Sequence, residues 1–165
     1  MTIIQKGVIK VLLFFTLFHG SIFAQDVNID LLTSQAKLTD KHLLILLGQT
    51  GCSYCKKMKK FVLNDKNVKP YLKNDFLFEY IDIKKKGIVT FKEFKGSKRE
   101  FAKHIKQRFY PSSIFIDSEN NIVYSQAGVI RKEKFLLTLE FIKNRAYKNM
   151  SFQDYVDEKE FEEEL

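Results

Sequence analysis

Cysteine is scarce: the 165 residues hold two, Cys52 and Cys55, alongside two prolines, three histidines and no tryptophan. So few thiols exclude a disulfide-stapled scaffold. The one bridge they can form closes over two residues and constrains little of the unfolded chain. Metal ligands are scarce too. Beyond the N-terminal segment only His42 and His104 remain, neither at ligand spacing from the cysteines, whereas four-coordinate zinc needs Cys or His partners. No apolar run reaches the roughly 20 residues of an ordinary membrane-spanning helix. No internal repeat or second domain is visible. The net charge is +8, but no nucleic-acid motif accompanies the lysines, which are scattered over several elements and read as solvated basic surface.

Sixteen phenylalanines and 45% apolar residues describe a folded protein of one domain rather than a disordered chain. The ends differ from the body. Lys6 and Lys10 precede Val11–Phe18, an apolar run of secretory length, and Ala24-Gln25 is the best cleavage point although Ile22 fits the small-x-small rule poorly. Residues 1–24 are thus expected to be an export signal, either cleaved or retained as an anchor. No cysteine follows the run, which excludes a lipoprotein anchor. Residues 25–150 form the domain, and 151–165 carry seven acids against Lys159. That acidic tail reads first as a solvated helix, although Phe152, Tyr155 and Phe161 could fold it back onto the body.

Along the domain, Val27–Leu38 gives a short helix or a strand leading into one. Leu43–Leu47 is a continuous apolar run, as in a central strand covered on both faces. Gly48 and Gly51 bracket a turn where close approach or positive φ is needed. Cys52-Ser53-Tyr54-Cys55 then opens a helix with Cys55, Met58 and Val62 on one face. Val68–Leu72 suggests further helix, and Phe76–Ile83 a strong strand. Lys84–Gly96 is a basic loop containing an extended piece at Ile88–Phe91. Ser97-Lys98-Arg99-Glu100 has the capping-box pattern, opening a helix that runs through Phe101, Ile105 and Phe109 until Tyr110-Pro111 stops it. Ser113–Ile116 and Ile122–Tyr124 form a hairpin ended by Gly128, and Lys132–Tyr147 a closing helix. His42 and His104 read as surface residues. The fold class is α/β, a mixed central sheet with helices on both faces.

A strand feeding a Cys-x-x-Cys that opens a helix is the setting for redox chemistry. In an exported protein, a bridge of so little structural return is there to be made and broken. With Cys52-Ser53-Tyr54-Cys55 after the first central strand, Tyr110-Pro111-Ser112 before the hairpin and Gly128 before the last helix, the chain resembles the thioredoxin superfamily over about residues 40–147. Asn64–Ile83, the loop ending Phe94-Lys95-Gly96 and the segment from Tyr147 through Tyr155 look most like exported SoxW-type relatives. The resemblance implies the thioredoxin fold and a thiol–disulfide oxidoreductase. It makes Cys52 the nucleophile and Cys55 the resolving thiol, and it places a cis Pro111 against them. Ser53, Tyr54, Tyr110 and Pro111 would face the substrate.

Two departures stand out. The familiar Trp-Cys-Gly-Pro-Cys is absent, and Leu46 occupies the place of the buried acid six residues before the first cysteine. Proton handling at Cys55 must therefore differ or use water.

The expectation is a periplasmic or otherwise exported monomer, without metal or cofactor, that acts on protein disulfides and thiols and draws electrons from a membrane donor. The absence of a long helical insertion or an added dimerisation domain points to a reductase. A disulfide-forming oxidase and a non-catalytic binding or metal-carrier module stand as alternatives.

Overall fold

Both faces of the strand His42–Gly48 (β2) are covered, and all seven of its residues are buried. Its side chains alternate between two cores. Leu43, Ile45 and Leu47 face one cluster, Leu44 and Leu46 the other. In the computed structural model, which describes residues 25–163, the elements before it are β1 (Val27–Asn28) and α1 (Ile29–Leu38). After it come α2 (Ser53–Lys57), α3 (Val68–Asn74) and β3 (Phe76–Asp82), then β4 (Ile88–Phe91), β5 (Phe94–Ser97) and α4 (Lys98–His104). The chain ends with β6 (Ser112–Ile116), β7 (Ile122–Ala127), α5 (Lys132–Lys143) and α6 (Phe152–Glu163). The expected export signal lies outside the described residues.

The main sheet has the order β3-β2-β6-β7. β3 runs parallel to β2 in the register His42↔Phe76 to Gly48↔Asp82, and β6 pairs antiparallel on the other side. The α/β class with helices on both faces is thus observed.

Four local readings need correction. Lys84–Gly96 contains more than a loop, because β4 and β5 form a hairpin joined in a three-stranded sheet by β1. Its turn is Lys92-Glu93, with Lys92 at φ +53 rather than a glycine. The helix after Ser97 does have the capping box, but it ends at His104 instead of running to Phe109. Lys106 takes φ +59, and the amides of Gln107 and Lys106 donate to the carbonyls of Ala102 and Lys103. This is the paired closure usually made with glycine in the left-handed position. α5 likewise stops at Lys143, where Arg145 takes φ +55, and Ala146–Lys148 continue as a 3-10 turn.

The fourth correction concerns His42. It is not on the surface: it is buried, its Nε2 lies 3.2 Å from the Tyr147 hydroxyl, and the two rings meet edge to face. Its place at the start of a doubly covered strand explains why. His104 is exposed, stacked on Phe94.

The acidic C-terminal segment is helical and partly packed. In α6, Tyr155 is buried against Phe141, while Phe152 packs on Tyr124 and Phe141. Asp154, Asp157, Glu158, Glu160, Glu162 and Phe161 stay exposed.

Candidate active site

β2 ends with Gly48, still buried, and the next residues, Gln49 to Gly51, emerge at the surface and turn to enter α2. A side chain at Gly48 would meet the Tyr80 ring within 3 Å, and Gly51 takes φ +83. Each glycine thus serves one of the two anticipated needs, close approach at the first and left-handed backbone at the second. The turn closes with the Cys52 amide donating to the Gln49 carbonyl at 3.1 Å.

Cys52 caps the helix. It has extended backbone, and its Sγ accepts the Cys55 amide at 3.0 Å, in the place a serine oxygen usually takes. The Cα atoms of the two cysteines are 5.3 Å apart and their sulfurs are bonded. Cys52 is half-buried, whereas Cys55 is 3% exposed, facing the core with Met58. α2 passes into a π-helical stretch, Met58–Leu63. There Lys59 lays its ammonium 3.2 Å from the Tyr80 ring centroid.

The loop before β6 approaches Cys52 from the other side. The Tyr110–Pro111 peptide is cis, and the Tyr110 carbonyl oxygen lies 3.8 Å from Cys52 Sγ. The Ser112 hydroxyl donates to the Phe109 carbonyl, and the Gly128 amide donates to the Pro111 carbonyl at 2.7 Å. These bonds brace the loop on both sides. Pro111 is buried, Tyr110 half-buried, and Ser53 and Tyr54 are exposed. The structure thus puts Tyr110 beside the cysteines, while Ser53 and Tyr54 occupy the outer surface of α2.

Two functional candidates escaped the sequence reading. Phe109, read as a helix residue, is 72% exposed beside Tyr110 because α4 stops early. Asp82 is the second. It ends β3 opposite Gly48, a place legible from the matched lengths of the two parallel strands. Its carboxylate accepts the Thr50 amide at 3.1 Å, the Thr50 hydroxyl at 2.6 Å and the Lys84 amide at 3.0 Å. Burial pushes its pKa up. The Thr50 and Lys84 bonds and the charge of Lys85 outweigh that, and the carboxyl lies below its ordinary 3.8. Lys59 is shifted down from 10.5 by burial, against the pull of Asp82 and with the push of Lys85.

Leu46, 1% exposed, lies in the apolar cluster that includes Met58. A cavity of about 270 Å³ is lined by Cys52, Cys55, Lys56, Lys59 and Asp82, among others. At about 30 Å³ per water, it has room for several molecules among polar partners. Among the described residues no group of three or more His, Cys, Asp or Glu side chains could hold a metal ion.

The family model of the thioredoxin-like domain matches residues 29–143. A thioredoxin-fold protein from Helicobacter pylori is similar at 28% identity and a TM-score of 0.61, over 73% of this chain and 84% of its own. A thioredoxin from Thermus thermophilus shares the fold at 17% identity and a TM-score of 0.56, with coverages of 72% and 85%. So does the oxidised C-terminal domain of DsbD from Neisseria meningitidis, at 17% and 0.50, with coverages of 67% and 88%. Among curated proteins none matches the chain in sequence.

Proposed function

We propose that this chain, which belongs to the thioredoxin-like family and is a thiol–disulfide oxidoreductase, works outside the cytoplasm as a reductase of protein disulfides. The observation that carries the reading is the difference between its two sulfurs. Cys52 is partly accessible, caps a helix and accepts a backbone amide, whereas Cys55 is buried behind it. An amide donor and the positive end of a helix both favour thiolate over thiol, and the thiolate is the attacking species.

In the reduced protein, Cys52 thiolate attacks a substrate disulfide. One substrate sulfur leaves as a thiolate, and a mixed disulfide remains on Cys52. Cys55 gives up its proton and attacks Cys52 Sγ, which releases the second substrate thiolate and closes Cys52–Cys55. Two electrons and, after protonation, two protons have passed to the substrate. Water in the cavity shared by Cys55, Asp82 and Lys59 is the route for the Cys55 proton, in place of an acid at Leu46. Tyr110 and Pro111 present backbone to the substrate beside Cys52, while Ser53 and Tyr54 offer the outer edge. No cofactor enters these steps. Regeneration needs a dithiol donor, and a donor at the membrane fits an exported location.

Export rests on Lys6, Lys10 and the apolar run Val11–Phe18, with residues 1–24 as a cleaved signal or a retained anchor. Among the described residues no helix is long and apolar enough to cross a membrane. The likeness to exported SoxW-type proteins points the same way. We propose that residues 25–150 act as a monomeric domain, with 151–165 as its acidic tail.

Reduction of insulin disulfides by the purified chain should vanish with Cys52→Ser. The potential of the Cys52–Cys55 pair decides direction. A value near about −270 mV supports a reductase, and one near about −120 mV makes the protein an oxidant.

A further inference from the structure

A second groove, of about 630 Å³, adjoins Cys52, and its lining carries charge of one sign. Arg99 and Lys103 line it from α4, and Lys106 and Arg108 from the turn after that helix. Among the described residues no carboxylate lines it. Glu100, the one acid on α4, is held by the Ser97 amide and hydroxyl in the capping box. Among the described residues none of the four cations lies within ion-pair distance of a carboxylate, whereas Lys132, Lys143 and Arg145 elsewhere each do. All four are exposed. Such a concentration of like charge raises a local potential that attracts anions and is relieved by binding them.

The groove is continuous with the redox pair. Gln49 lines both it and the cavity that holds Cys52 and Cys55. Tyr110, whose carbonyl oxygen lies 3.8 Å from Cys52 Sγ, lines it as well. An occupant therefore ends beside the attacking sulfur. Arg99 and Arg108 supply planar donor forks suited to carboxylates, and the two lysines add point charge.

We propose that this groove binds an acidic segment of the polypeptide whose disulfide Cys52 attacks, so that the preferred substrates carry Asp or Glu next to the reacting cysteine. The inference rests on the reductase reading and specifies its substrate class. The charge alone would suit a nucleic acid, but continuity with the cysteine pair favours a polypeptide, which brings a disulfide.

The test uses the full chain and three disulfide-linked peptides that differ only in flanks of Asp/Glu, Ser or Lys. Turnover is measured on these, and affinity by fluorescence anisotropy on versions with Ser in place of Cys. The acidic peptide should lead the Ser peptide by about tenfold in both Kd and kcat/KM at low salt. The lead should collapse towards 1 M salt, where screening shortens to about 3 Å. Arg99→Gln with Arg108→Gln should erase most of the lead, and Arg99→Glu with Arg108→Glu should hand it to the Lys peptide.

Equal affinities for all three peptides, an order unchanged by the charge reversal, or tighter binding of an equally charged oligonucleotide would overturn the proposal. Turnover of all three at one rate would remove the acidic preference and leave the reductase standing. Selective binding of the acidic peptide without turnover of any would uphold the groove and remove the reductase.

Discussion

Replacing Asp82 tests how the cysteine turn is held. Its carboxylate is the common acceptor for the Thr50 amide, the Thr50 hydroxyl and the Lys84 amide, and so it ties the approach to Cys52 to the end of β3. Hydrogen bonds to a charged group contribute about 1.5–3 kcal/mol each in favourable settings. Here the donors lie at the molecular edge and regain water when the acceptor is lost, so about 1 kcal/mol per bond is the better figure. Asp82→Ala should therefore cost about 3 kcal/mol, which for a fold of this size lowers Tm by about 10 °C. Asp82→Asn keeps one acceptor oxygen and should cost about half as much.

The pH dependence of the same variant adds a second check. Because the folded carboxyl lies below 3.8, its stabilisation is fully present above that pH and is lost as the pH falls through the folded value. The gap in Tm between wild type and Asp82→Ala, followed by circular dichroism, should be full at neutral pH and narrow below about pH 3.8. Thr50→Val should add little on top of Asp82→Ala, since the hydroxyl bond it removes is already gone there. A gap under 1 °C at neutral pH, or one that persists unchanged in acid, would refute the account.

Other perturbations probe separate parts of the fold. Burial and then Arg145 lower the pKa of His42 from its ordinary 6.5, Lys148 adds to this, and Asp117 and Asp40 oppose it. Its contribution to stability is therefore present above 6.5 and lost as the pH falls below it. Thermal melts should show wild type weakening between about pH 7.5 and 5.5, with His42→Gln flat over that range. The hydroxyl of Tyr155 is buried with no hydrogen-bond partner among the described residues, so Tyr155→Phe should raise stability in denaturant by about 1 kcal/mol; a loss would mean the hydroxyl is bonded after all. At Gly51, φ is +83 and an added Cβ meets nothing within 4 Å among the described residues. Gly51→Ala should then cost about 1–2 kcal/mol in urea unfolding through backbone conformation alone.

What could be read from the sequence was whatever has a side-chain signature. Leu43–Leu47 announced a strand covered on both faces, Ser97 and Glu100 announced a helix start, and the cysteine spacing with Tyr110-Pro111 marked the site. The misreadings share a cause. α1, α4 and α5 are each followed by a left-handed residue that is not glycine, namely Asp40, Lys106 and Arg145. Without the usual glycine, the helix ends at Lys106 and Arg145 carry no mark, and the apolar spacing of Phe109 and Ala146 continues the helical pattern past them. The β4–β5 hairpin was hidden for the same reason, since its turn is Lys92-Glu93 and β5 contains Lys95 and Gly96. Asp82 and His42 owe their roles to neighbours distant in the chain, Thr50 and Tyr147, which no local pattern reveals.

β2 carries one further consequence. It runs through the interior from His42 to Gly48, which at about 3.3 Å per residue sets its ends roughly 20 Å apart. The buried imidazole sits at one end and the cysteine turn begins at the other. At ordinary ionic strength that separation is about twice the screening length. Acidification can therefore erode the stability of the fold while the sulfur chemistry continues unaltered in the molecules still folded. The pH profile of turnover should accordingly report the cysteines and their surroundings, and above about pH 5, where Asp82 stays ionised, the pH profile of melting should report His42.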